Sequence, residues 1–190
     1  MTIEVTYRIV LIGDAAVGKS SLYRSFTKEG VDNIYQQTVG AAFYEYEIKS
    51  NSKTLHFQIW DTAGQETYQG LGPIYYRNAS AAIAVFDITN HQSFQDLPKW
   101  IQSFHDVTGE DKKIFIVANK SDLEDERQIS TEDIELYARQ NNYPIFMTSA
   151  VNGYNVDLLF SCVFQTVESL PVIITKDENA SYTKDHSNCC

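Results

Sequence analysis

Gly13-Asp14-Ala15-Ala16-Val17-Gly18-Lys19-Ser20 decides how this chain is read. The octapeptide fits G-x-x-x-x-G-K-[ST], directly after the apolar run Tyr7–Ile12 and directly before a helix-like stretch, Lys19–Lys28. The pattern works only as such a strand-to-helix turn. Its glycines let the backbone curl so that successive N–H groups and the helix N-terminus aim at phosphate oxygens, while the lysine adds a mobile positive charge. Gly13, Asp14, Ala15, Ala16, Val17, Gly18, Lys19, Ser20 and the following Ser21 are therefore expected to bind a polyphosphate, with the Ser20 hydroxyl also a ligand for Mg²⁺.

Outward from the loop, short apolar runs recur at Leu55–Trp60, Ala81–Phe86, Ile114–Ala118 and Ile145–Met147, bounded by Gly, Asp, Asn or Pro. These read as buried strands. Between the runs, Lys19–Lys28, Ser93–Asp106, Thr131–Asn141 and Asn155–Ser169 mix polar and apolar residues at helical spacing. Strand and helix in alternation imply a parallel sheet covered on both faces. Ala42–Lys49 instead alternates residue by residue and is joined to Leu55–Trp60 through Ser50-Asn51-Ser52-Lys53, which reads as a hairpin supplying one edge strand. The expected fold class is α/β: one three-layer domain over residues 1–170, with a mostly parallel six-stranded sheet, one antiparallel edge strand and helices on both faces. After Pro171 the periodicity is lost, and Lys176–Asn188 is a run of Asp, Glu, Asn, Ser and Lys, so residues 171–190 are expected to be a disordered tail. No internal repeat is visible.

The composition suits a single domain with a sizeable core, at 190 residues and 43% hydrophobic. A net charge of −10 and no basic cluster argue against a nucleic-acid partner. Cys162, Cys189 and Cys190 are too few to staple a secreted fold, which points to a reducing cytosol. Met1–Tyr7 lacks the basic start and apolar run of a signal peptide, and no stretch approaches membrane-spanning length.

A phosphate loop does not choose a base, but Asn119-Lys120-Ser121-Asp122 can. The tetrapeptide follows Ile114–Ala118 and so lies at the carboxyl end of a strand, where open α/β sheets bind ligands. Asp122 can accept from the N1–H and the N2–H₂ of guanine, whereas adenine offers no matching donors. A buried carboxylate there would penalise ATP. Thr148-Ser149-Ala150 follows another strand, and the Ala150 N–H could donate to guanine O6, which adenine lacks. Asn119, Lys120, Asp122, Ser149, Ala150 and Val151 are thus expected around the base.

Asp61-Thr62-Ala63-Gly64-Gln65 closes the strand ending at Trp60. The Asp61 carboxylate is expected beside the Mg²⁺, Gly64 to offer its N–H to a γ-phosphate, and Gln65 to orient the attacking water without being a strong base. Thr38 sits in the loop before the edge strand, where its hydroxyl could join Ser20 and Asp61 on Mg²⁺ when a γ-phosphate is present.

In order and spacing, G-D-A-A-V-G-K-S at 13–20, T-V-G at 38–40, W-D-T-A-G-Q-E at 60–66, N-K-S-D at 119–122 and T-S-A at 148–150 resemble the Ras superfamily of small GTPases over residues 5–170. Val39-Gly40-Ala41-Ala42-Phe43, Tyr75-Tyr76-Arg77-Asn78-Ala79 and Phe86-Asp87-Ile88-Thr89 look like the Rab branch, and Leu71–Arg77 like its early-endosomal subgroup. The resemblance implies a P-loop GTPase domain that binds GTP and GDP with Mg²⁺, hydrolyses GTP and switches vesicle traffic by recruiting effectors. It implies a guanine-nucleotide exchange factor, a GTPase-activating protein, a GDP-dissociation inhibitor and an escort protein as partners. It places the protein in the cytosol and on the cytoplasmic face of intracellular membranes, early endosomes above all. Phe43, Trp60 and Tyr75 would form the aromatic triad that effectors read, although aromatics in strands also pack simply as core. The Cys189-Cys190 pair resembles a double geranylgeranylation signal, and two lipid chains anchor stably where one does not.

The resemblance departs at a few positions. Val31 stands where an aromatic ring usually packs against guanine, which implies a looser hold or the use of another ring such as Tyr35. Ala15 and Ala16 replace glycines of Ras itself, Thr67 replaces an arginine, and Val151 replaces a lysine beside the base. Two other readings share the phosphate loop. A nucleotide-holding module without turnover is opposed by the presence of Ser20, Thr38, Asp61 and Gln65. An ATP-dependent phosphotransferase would need an acceptor site and an arginine-rich lid.

Overall fold

Ile9 and Leu11 point to one side of strand β1 (Ile3–Ile12), Val10 and Ile12 to the other, and all four are fully buried. A strand apolar on both sides must be covered on both faces. The computed structural model describes residues 3–29, 38–49, 53–64 and 72–170 and meets that demand. Strands β2 (Ala41–Lys49), β3 (Lys53–Thr62), β4 (Ala81–Asp87), β5 (Lys113–Asn119) and β6 (Ile145–Met147) join β1 in one sheet of order β2-β3-β1-β4-β5-β6. Only the β2–β3 pair is antiparallel.

One face is covered by α1 (Lys19–Thr27) and α6 (Val156–Glu168), whose Leu22, Tyr23, Leu159, Phe160, Val163 and Phe164 pack on Ile9, Phe57, Ile83 and Phe115. Aromatic rings fill much of this layer: Phe57 and Phe164 stack at 4.1 Å, Phe26 and Phe160 at 4.4 Å, and Tyr23 and Tyr44 at 4.2 Å. The other face takes α2 (Gly72–Tyr76), α3 (His91–Gln95), α4 (Leu97–Thr108) and α5 (Thr131–Asn141), through Tyr76, Phe94, Trp100, Phe104 and Ile134. Alternation along β2 is of another kind. Tyr44 and Tyr46 turn inward to the first layer, whereas Phe43, Glu45 and Glu47 face solvent. Glu47 pairs with Lys49 at 2.6 Å, and His56 Nδ1 lies 3.6 Å from Glu45 and 3.5 Å from Glu47.

The six expected strands and the edge hairpin are found, with three differences. β1 begins at Ile3 rather than Tyr7, because Ile3–Thr6 pair with Lys53–His56 although exposed residues there break the apolar run. The single helix expected over Ser93–Asp106 is two: Asn90 caps α3 by accepting from the Gln92 N–H at 3.1 Å, and the chain restarts at Leu97 with Pro98 in the first turn of α4. Pro98 has no N–H to continue the ladder of α3, and its ring would strike the carbonyl four residues back. The five-residue α2 and a 3₁₀ turn at Glu124–Glu126 are too short to show periodicity. Val31, Tyr35, Gln65, Thr67, the tail 171–190 and Cys189 and Cys190 lie outside the described residues. Among the described residues no helix is long and apolar enough to cross a membrane.

Phe57 is fully buried between Tyr7 and Phe164. We expect Phe57→Ala to lower unfolding stability by about 3–5 kcal/mol, read as a lower urea midpoint at unchanged slope.

Candidate functional site

Four loops meet at the carboxyl end of the sheet, and the phosphate loop between β1 and α1 lies at their centre. Lys19 is buried in it, its ammonium donating to the carbonyls of Gly13 at 2.8 Å and Asp14 at 2.6 Å. Burial pushes this lysine down to about 8, against the opposing pull of Asp61 and Asp14. An incoming anion would oppose that shift and favour the charged form further. Gly18 has φ +100°, and a Cβ there would stand 2.3 Å from Asn119 Nδ2, so the loop can pass β5 only without a side chain. Ala15 and Ala16 line the open side, Val17 is buried, and Ser21 is half-buried in the first turn of α1.

The three oxygens expected around Mg²⁺ converge although they come from α1, the segment before β2, and β3. Ser20 Oγ donates to Asp61 Oδ2, and Thr38 Oγ1 lies 3.1 Å from Ser20 Oγ and 3.5 Å from the same carboxylate oxygen. Asp61 is fully buried, and its Oδ1 has no hydrogen-bond partner among the described residues. Burial raises the Asp61 carboxyl, with Ser20 and then Lys19 acting against it. A buried carboxylate with one oxygen lacking a donor and the other beside two hydroxyls is a set of hard oxygen ligands that suits Mg²⁺ and leaves room for phosphate oxygens. Thr62 Oγ1 donates to the Leu11 carbonyl at 2.7 Å, and the Ala63 N–H to Gly40 at 2.9 Å, fixing the exit from β3. Gly64 then lies directly on the phosphate loop: a Cβ there would fall 2.2 Å from the Asp14 carbonyl carbon and 2.3 Å from the Ala15 nitrogen.

Around the base, the structure assigns Asn119 more than the sequence did. Its Nδ2 donates to the Val17 carbonyl at 2.8 Å, while its Oδ1 accepts from Thr148 Oγ1 at 3.1 Å and from the Ala150 N–H at 3.3 Å. One buried amide thus ties the phosphate loop to the turn after β6. The Ala150 N–H, expected to reach guanine O6, is donated to Asn119 here. Ser121 N–H donates to Thr148 at 2.9 Å, holding the two base loops together. Ser149 is buried and Val151 largely exposed beside it. Lys120, at φ +65°, forms a 2.5 Å ion pair with Asp87, whose other oxygen accepts from Thr89 N–H and Oγ1 at 2.8 and 2.7 Å. Asp122, expected as a buried carboxylate against the base, is exposed in the turn that follows β5. Desolvation by the base itself would have to supply the discrimination.

Phe43, Trp60 and Tyr75 form one cluster, with ring centroids 5.1 Å apart for the first pair and 5.5 Å for the second. The Arg8 guanidinium lies 5.1 Å over Trp60. Trp60 and Tyr75 are half-buried and pack against the second core layer, while Phe43 is 47% exposed, so the cluster is rooted in the core and reaches the surface through Phe43. The sequence assigns no site role to Asp87, which lies in one of the quoted signatures, or to Trp100. Trp100 Nε1 donates to Asp14 Oδ1 at 2.7 Å, a contact across 86 residues that no local pattern signals. Gln65 falls outside the described residues.

The sequence model of the Ras family matches residues 8–169. The chain belongs to the Ras family. This Ras-family protein is a small GTPase, a GTP hydrolase. It is 41% identical over 168 residues to Ras-related protein RABF2a of Arabidopsis thaliana, covering 88% of this chain and 82% of that protein. It is 42% identical over 157 residues to Ras-related protein RABF2b of the same plant, covering 83% and 78%. It is 40% identical over 164 residues to Ras-related protein RHN1 of Nicotiana plumbaginifolia, covering 86% and 80%. Within the Ras family the likeness is thus to Rab proteins, as the Rab-like sequence signatures implied.

Asn119→Ala would leave the Val17 carbonyl, the Thr148 hydroxyl and the Ala150 N–H of this GTPase unpartnered. We expect a loss of about 2 kcal/mol or more in unfolding stability and faster hydrogen exchange at the Ala150 amide, whereas Asp122→Ala, at an exposed site, leaves stability unchanged.

Proposed function

We propose that this Ras-family GTPase is a switch for vesicle traffic at endosomal membranes, and that residues 13–21 and 119–122 hold one guanine nucleotide between them. The observation that supports this most is the 2.8 Å hydrogen bond from Asn119 to Val17, which sets the base-reading and phosphate-binding segments side by side, within reach of one ligand.

In this reading Asp122, Ser149, Ala150 and Val151 surround guanine, and Asn119 and Lys120 hold those loops in place. The N–H groups of residues 13–18 and the Lys19 ammonium receive the phosphates. Ser20, Thr38 and Asp61 hold Mg²⁺, which when bound supplies charge neutralisation on the phosphate oxygens. Gly64 offers its N–H toward the γ-phosphate, and Gln65 orients the attacking water by its amide. A γ-phosphate would add contacts that hold Thr38 and Gly64 inward, its loss would remove those contacts from both segments, and the Phe43–Trp60–Tyr75 surface between them would report the change. Effectors would read that surface in the GTP state. An exchange factor, a GTPase-activating protein, a GDP-dissociation inhibitor and an escort protein are the regulators this cycle needs. Residues 171–190 would be a tail carrying geranylgeranyl groups on Cys189 and Cys190.

Asp122→Asn puts an amide donor where the carboxylate accepted. GDP affinity should fall by roughly 100-fold while xanthosine diphosphate binding improves; unchanged preference in competition binding would remove Asp122 from base recognition. Gln65→Leu should slow single-turnover GTP hydrolysis by roughly tenfold or more with GDP affinity retained. Weakened GDP binding in that variant would assign Gln65 a structural role instead.

A further inference from the structure

The phosphate loop contains a problem of its own making. Asp14 places a carboxylate two residues into a loop built to receive a polyanion, and five residues from the lysine meant to meet it. Left free, that carboxylate would repel phosphate and compete with it for the Lys19 ammonium. In the structure the carboxylate has another partner. Its Oδ1 accepts a 2.7 Å hydrogen bond from the indole N–H of Trp100, which is 95% buried on α4. Lys19 meanwhile donates to the backbone carbonyl of Asp14, not to its side chain.

Trp100 is held firmly enough to fix the carboxylate. It packs with Leu97, Ile101 and Phe104 of α4 and with Tyr76 of α2 in the second core layer. The break between α3 and α4 at Asp96 starts a new helix at Leu97 and brings Trp100 into its first turn, beside the loop. Asp96, whose charge also acts on Asp14, is engaged by Lys99 at 2.8 Å. Further along the Asp14 peptide unit, the Asp14 carbonyl carbon and Ala15 nitrogen are the atoms against which Gly64 packs. A shift of Asp14 would therefore be felt at both Lys19 and Gly64.

We propose that Trp100 is a positioning residue for the GTPase reaction: its indole N–H parks the Asp14 carboxylate away from the phosphate site, leaving Lys19 free for the nucleotide. This rests on the proposed nucleotide site. The role belongs to the charge on residue 14, not to the bulk of residue 100, and that separates it from simple packing.

The test is a double-mutant cycle of Trp100→Phe and Asp14→Asn, read by the dissociation rate of fluorescently labelled GDP and by single-turnover GTP hydrolysis. In the wild-type background, Trp100→Phe should speed GDP release by roughly tenfold and slow hydrolysis, as expected from losing one hydrogen bond to a charged group. In the Asp14→Asn background, where no charge needs parking, the same substitution should change either rate by no more than about twofold. Equal effects in both backgrounds would overturn the proposal and leave Trp100 a packing residue. A second measurement stands even if Trp100→Phe does not fold. The chain has two tryptophans, and the Trp60 indole nitrogen has no partner among the described residues, so ¹⁵N spectra should show one indole N–H far downfield and protected. That resonance should move upfield in Asp14→Asn, and an unmoved resonance would overturn the pairing. Wild-type protein that binds no labelled GDP would defeat the nucleotide site itself, whereas a bound nucleotide with an additive cycle would defeat only the role of Trp100.

Discussion

The buried amide of Asn119 is the contact on which the geometry of the site depends. It stands at the end of β5, a strand held in register with β4 and β6, so its position is set by the most buried part of the sheet. From there it reaches Val17 in one direction and Thr148 and Ala150 in the other. Loops are the least constrained parts of a fold, and three loops that each depended on a ligand for their shape would have to be ordered on binding. A single side chain with both donor and acceptor removes much of that cost in advance. The Gly18 backbone can lie against this amide only because it has no Cβ.

The two faces of the sheet divide the work. The α1–α6 face is an aromatic layer whose rings extend from Tyr7 through Phe57 and Phe164 to Tyr46, and it anchors the inner side of the edge strand β2. The opposite face, through α2 and α4, meets the phosphate loop at Trp100 and the Phe43–Trp60–Tyr75 cluster through Tyr75. Elements expected to move with nucleotide state therefore lie on a rigid sheet, and their mutual contacts are short and few in kind.

Much of this was legible from residues alone, and the reasons differ by element. β4 and β5 are buried on both faces, so Ala81–Phe86 and Ile114–Ala118 are unbroken apolar runs. The phosphate loop is legible because its chemistry needs particular residues at fixed spacing within one segment. Ser20, Thr38 and Asp61 were identified individually, and the sheet then brings them together. What stayed hidden depends on partners far away in sequence. Nothing local to Trp100 indicates Asp14, and nothing local to Lys120 indicates that Asp87 takes its charge. The break at Asp96 is masked by apolar spacing that continues through Ser93–Asp106, and Pro98 is its one local signal. Asp122 is legible as a base-reading carboxylate from its chemistry and spacing, but that reading presupposes a base to bury it, and without one the residue is exposed in the turn after β5.

The edge strand β2 leaves one row of its backbone N–H and C=O groups outside the sheet, along nine residues. Such a row is a template on which a foreign strand can grow. Glu45, Glu47 and Lys49, every second residue on its outward side, would force any strand docking there to bring charges against charges or to desolvate them. The strand therefore carries Phe43 into solvent near one end while the charged residues toward its other end oppose pairing with a foreign strand.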